Sequence, residues 1–296
     1  MSQPIGIAPT GIAPVDVPNQ DAAQQLASDL RGRWVGEGIN TLWVPTFAGV
    51  PTPTPPPMYQ PVPSEPPKPL PRFVSSRTTE TLVIDAPLGS VPNRGPGDEF
   101  SEVAAPYEQR VYDENGNLVH AENGFWLATP STQSPQAEAS IAKLSSIPHG
   151  SVAVVQGALP SRQNGQTQIS VGVSAPAVPT GVPGLVQPDG PLAPEFIQNV
   201  AAYIEQRVAA DRTGLLWELQ LQSTGVANIA FLNENAPVTS VQSTVWVGNL
   251  GIRPDGAGAE VASVLAYVQT AVLTFDGVDW PHVSVGYLLR DMEWRS

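Results

Sequence analysis

Thirty-three prolines and 26 glycines are spread along 296 residues, and a chain interrupted this often cannot sustain many long helices. Proline fixes φ and lacks the amide donor, and glycine pays extra backbone entropy inside either regular element. Many short strands joined by turns satisfy that punctuation best. With 41% hydrophobic residues the chain can still bury a large core. The length suits a single all-β barrel as well as it suits two domains.

Turn and strand signals recur along the chain. Residues 1–19 are small and proline-punctuated and are expected to form a tail. Residues 20–296 are expected to form one domain. Asp21–Leu30 has helical spacing at Ala22, Leu26 and Leu30, which predicts a short helix closing one end of a barrel. Leu30–Phe47 reads as a strand carrying glycine at 32, 36 and 38 around Trp34. Glycine there suits a barrel corner or a flat ligand close to the backbone. Eleven of residues 51–71 are proline, so about 48–72 is an insertion in extended, polyproline-like conformation.

Strands follow at Val74–Ile84 and through Tyr107–Trp126, where Asn115-Gly116 is a hairpin signal. Ser151–Leu159 and Gln166–Val173 look like a second pair about Asn164-Gly165. Residues 194–211 are the best helix candidate, with strand as the alternative. Leu215–Gln222, Ser240–Gly248, Val261–Phe275 and Val283–Leu289 complete about ten strands, enough to close an antiparallel barrel of lipocalin or fatty-acid-binding-protein type.

Charge and composition exclude several function classes. The net charge is −13 and no lysine or arginine run exists, which disfavours nucleic acid and anionic membranes as partners. There is no cysteine, so thiolate metal sites and thiol nucleophiles are absent. No apolar run is long enough to span a bilayer, and Met1–Pro18 lacks the charge and apolar core of an export signal. A cytoplasmic protein is the expectation. Asp98-Glu99, Asp113-Glu114 and Asp276/Asp279 read as solvated turn carboxylates.

Chemistry concentrates on three histidines, His120, His149 and His282. In Trp280–Leu289, period two puts His282, Ser284 and Gly286 on one face. Two small residues beside an imidazole leave an open slot, which a planar macrocycle ligated by that imidazole would fill. An ordinary strand histidine facing solvent is the alternative. His149 sits in a Pro-His-Gly turn and His120 lies beside Glu122.

Four segments carry a resemblance. Gly32-Arg-Trp-Val-Gly-Glu-Gly38 resembles the first strand of the nitrobindin family of haem-binding barrels. Val119–Trp126, Pro281–Leu288 and Gly150–Gly157 are similar to three later strands of that family, with large insertions between. The resemblance implies a ten-stranded barrel holding one haem b, with His282 as proximal iron ligand and His120 on the distal side. Gly36, Gly38, Ser284 and Gly286 would then border the haem.

It also implies ferric iron that isomerises peroxynitrite to nitrate and binds nitric oxide. No carboxylate is placed by these motifs to push electron density through His282, which disfavours peroxidase chemistry. A haem-free carrier of a hydrophobic compound and a haem peroxidase or dehydratase with an organic substrate remain alternatives, so enzyme status stays open. The proline-rich arms are suited to a subunit contact, of which a homodimer is the simplest.

Overall fold

A computed structural model of the chain describes residues 20–46, 70–94, 99–179, 194–251, 262–275 and 277–294. The expected tail 1–19, most of the proline-rich insertion and the residues Asp98 and Asp276 lie outside the described residues. Helix α1 (Gln20–Leu30) leads into β1 (Gly32–Thr46), β2 (Leu70–Ile84), β3 (Ser90–Arg94), β4 (Glu99–Asp113) and β5 (Leu118–Thr129). Then come the short β6 (Thr132–Gln133) and β7 (Gln136–Ala137), and the longer β8 (Ser140–Ile147) and β9 (Ser151–Ala158). Helices α2 (Pro194–Gln198) and α3 (Ala202–Asp211) precede β10 (Gly214–Asn228), α4 (Ala230–Asn235), β11 (Val238–Asn249), β12 (Val264–Phe275) and β13 (Val278–Arg290).

Ten strands close on themselves. Antiparallel neighbours run β1, β13, β12, β11, β10, β9, β8, β5, β4 and β2, and β2 pairs with β1 to complete the ring. Strand β3 only extends β4 outside the ring. Closure leaves no edge within the ring for another chain to extend. The Asn115-Gly116 turn joins β4 to β5, with Gly116 at φ +77° and Asp113 Oδ1 accepting from the backbone amides of Asn115 (2.9 Å) and Asn117 (2.8 Å). The Asn117 side-chain amide, which donates to Asp113 Oδ2 at 2.9 Å, and those backbone bonds hold the Asp113 carboxyl below its usual range, as a turn carboxylate.

Two expectations change. Gln166–Val173 forms no strand beside β9. It runs irregularly against the start of β10, through Leu215 N to Thr167 O and a single bridge between Gln168 and Gly214. The hairpin partner of β9 is β8, which lies in a stretch expected to be insertion, with Pro148-His149-Gly150 as the turn between them, and β10 pairs on the other side of β9. Residues 194–211 are helical but broken into α2 and α3, with no strand.

The apolar residues divide into an inner and an outer body. Inside, Leu26 and Leu30 of α1 plug one end against Trp34, Leu82, Trp126, Trp217, Leu219 and Leu288. The inward helical residues are Ala23, Leu26, Ala27 and Leu30, with Ala23 in place of the expected Ala22. Outside, α3 and residues 169–177 cover Trp43, Phe73, Trp246, Val283 and Val285. That outer cover explains why β12 opens as a continuous apolar run, Val264–Val268: both faces are buried there. No helix among the described residues is long and apolar enough to cross a membrane.

Candidate functional site

The end opposite α1 is hollow. A cavity of about 460 Å³ opens there, walled by apolar residues from most strands, among them Leu42, Val74, Ile147, Val155, Val241 and Leu273, and by Leu232 of α4. Alternation along the strands supplies these walls, because every second residue faces inward. Beneath it lies a chamber of about 40 Å³, and the two share Asn40, His120, Gln269, His282 and Ser284 as walls. Those five polar residues form a neck between the wide upper cavity and the packed end.

All three histidines reach the upper cavity. His282 on β13 and Asn40 on β1 meet because the strands pair with Asn40 opposite Ser284. Asn40 Oδ1 accepts from His282 Nε2 at 2.7 Å and from Ser284 Oγ at 2.9 Å. Burial, with the nearby His120 and His149, pushes the His282 imidazole down to about 4, so it is neutral near pH 7. A neutral ring facing an amide oxygen donates through Nε2 and keeps a lone pair on Nδ1. Asn40, with its oxygen held twice, turns its amide hydrogens away from that pair.

His120 is held by a buried ion pair. Its Nε2 lies 3.4 Å from Glu122 Oε2, and the same carboxylate pairs with Lys143 and accepts from the Tyr107 hydroxyl at 3.2 Å. Burial alone would raise the Glu122 carboxyl, but the Lys143 ammonium and His120 outweigh it and hold it at about 2. His149, expected only as a turn residue, stands at the mouth with its ring 5.8 Å from that of His120. Sequence reasoning missed it because its signal was a Pro-His-Gly turn, and only the β8–β9 pairing brings that turn over the cavity.

A second polar set lies deeper. Glu80 is 2% exposed and accepts from Tyr267 Oη at 2.8 Å and from Gln109 Nε2. Burial pushes its carboxyl up to about 7 in spite of those donors. No sequence signal marked Glu80, which sits in an ordinary alternating strand.

The expected small-residue slot is open at Ser284 and closed at Gly286, where an added Cβ would strike the Tyr267 ring and approach Glu80. Gly36 and Gly38 do not wall the cavity. A Cβ on either would run into a carbonyl oxygen of β13, Tyr287 O or Val285 O. Close approach of β1 to β13 is therefore what these two glycines permit, and the cavity gains from them only indirectly.

Among the described residues, no three histidine or acidic side chains are grouped so as to hold a metal ion. No family model matches the chain, and no curated protein matches it. At the level the fold establishes, this is a closed ten-stranded antiparallel barrel whose open half is compatible with a small molecule.

Proposed function

We propose that the protein binds an apolar organic molecule carrying at least one oxygen, with its body in the upper cavity and its oxygen at the neck. The carrying observation is the cavity of about 460 Å³ with apolar walls and polar side chains gathered at its floor. That size and lining are those of small-molecule sites generally, where apolar walls supply affinity and a few polar groups supply orientation. The neck offers the Asn40 amide and the free imidazole nitrogens of His120 and His282.

Haem b on His282, with nitric oxide or peroxynitrite as its substrates, is the rival that the sequence resemblance implies. Two observations weigh against that group. Iron held by His282 Nε2 would displace the hydrogen bond to Asn40. The described residues around the cavity carry the carboxylates Asp113 and Glu122 and no arginine or lysine to meet the haem carboxylates.

Two measurements decide between these. Native mass spectrometry of freshly purified protein, followed by solvent extraction, is expected to find an organic molecule in one-to-one complex. Absorption spectra with added haemin are expected to show no Soret shift. A Soret shift abolished in His282→Ala would replace the organic ligand by haem.

A further inference from the structure

The neck holds groups that binding alone does not call for. His120 is backed by Glu122, a carboxylate itself 3% exposed and anchored by Lys143 and Tyr107. A carboxylate behind an imidazole fixes the tautomer, so that the outer nitrogen carries the lone pair, and steadies the imidazolium once a proton arrives. Asn40 supplies the complementary part. Its oxygen is consumed by His282 and Ser284, which fixes the amide so that its N–H groups are free for an oxygen on a bound molecule. Base and donor wall the same neck, at the floor of an apolar cavity.

We propose that this neck catalyses proton transfer at carbon next to a carbonyl group, acting on a ketone-like compound. The inference rests on the binding function proposed above and names its ligand class. In the step, the α C–H bond breaks and its proton passes to Nδ1 of His120. The bonding pair becomes the enolate double bond, and the charge gathers on the oxygen to which Asn40 donates. When the proton on Nδ1 is first replaced from solvent and a solvent-derived one returns to the same carbon, the result is exchange, and return to the γ carbon of an unsaturated ketone gives isomerisation. No oxidant, reductant or co-substrate enters. His282 and Ser284 act as positioning residues, through Asn40. The apolar walls exclude water, which strengthens both the donor and the base.

The test uses the full chain with 2-dodecanone in D₂O, following α-deuteration by mass spectrometry and binding by calorimetry. The wild type is expected to bind the ketone and to deuterate it faster than buffer does. His120→Gln is expected to bind it but to lose about 100-fold or more in rate, the typical share of a general base. Asn40→Ala is expected to lose a similar factor, about 100-fold, as when one donor to a developing oxyanion is removed. Imidazole added to His120→Ala is expected to restore part of the rate. Binding without exchange, or exchange untouched by both substitutions, overturns the inference and leaves the binding function standing. Failure to bind the ketone, in a protein that also purifies with no organic molecule, overturns both.

Discussion

The two halves of the barrel use the same strands to opposite ends. Around α1, the buried positions are Leu30 of the helix and Trp34, Trp217 and Leu219 of the strands, each 1% exposed or less, and several polar atoms are paired, although Trp126 Nε1 and Arg290 Nε are buried without a partner. The Trp217 indole donates to Asp29 at 2.8 Å, Trp34 donates to the Leu30 carbonyl at 2.8 Å, and Arg290 lies over the Trp34 ring. About four to six residues further along these strands, inward positions become Asn40, His120, Ser284 and Gln269, and space opens. Register is paid for once, at the plugged end, and the open half inherits rigid walls it does not have to stabilise itself. Function can then be placed where packing is poorest, since its cost in stability is borne elsewhere.

Several substitutions sharpen or break that contrast. The largest effect belongs at the boundary. Lys143→Met strands the Glu122 carboxylate without its ammonium partner and is expected to cost about 3–5 kcal/mol in urea unfolding near pH 7, with much of the loss recovered on adding Glu122→Gln. Next comes the plug, where Leu30→Ala is expected to cost about 2–5 kcal/mol by the same measurement.

Third is pH dependence. The Glu80 carboxyl is raised in the folded state from 4.5 to about 7, so the folded protein binds the extra proton between those values. Stability from this group is therefore full below pH 4.5 and is lost as pH rises through 7, a loss on the order of 3 kcal/mol. His282, lowered from 6.5 to about 4, works the other way, its contribution being lost as pH falls through that window. The two oppose each other between about pH 4.5 and 6.5. Glu80→Gln is expected to unmask the rise with pH due to His282 and to flatten the decline near pH 7, as read from unfolding midpoints across pH. A profile unchanged by Glu80→Gln would mean that this carboxyl does not titrate as its burial requires.

The smallest effect belongs to the open half. Leu273→Ala only enlarges an existing space and is expected to cost at most about 1 kcal/mol. A loss equal to that of Leu30→Ala would erase the distinction between the two halves.

Much of the frame was legible in the sequence because its signals are local. Asn115-Gly116, the α1 spacing and the alternation in β13 each depend on a few neighbouring residues. Strand β8 was not legible, since Ser140–Ile147 carries a lysine and three serines on a strand whose inward Lys143 is explained only by Glu122 across the ladder. The outer layer was equally hidden, because Val283 and Val285 look alike whether they face a cavity or α3. At the site, the parity of His282 with Ser284 follows from period two. The partner Asn40 is 242 residues away, and the ion pair that holds His120 is likewise a product of register. Glycines 36 and 38 offered two explanations, a barrel corner or a flat ligand, and the carbonyl oxygens of β13 point to neither but to the close approach of the neighbouring strand.

The most direct test of the hollow half is to fill it. Ala271 walls the upper cavity and pairs across the strands with His282, and Ala271→Trp puts an indole into the space above the neck. By native mass spectrometry with 2-dodecanone, the wild type is expected to form a one-to-one complex and the folded Ala271→Trp protein none. No complex with the wild type, or an undiminished complex with the filled variant, would contradict the account.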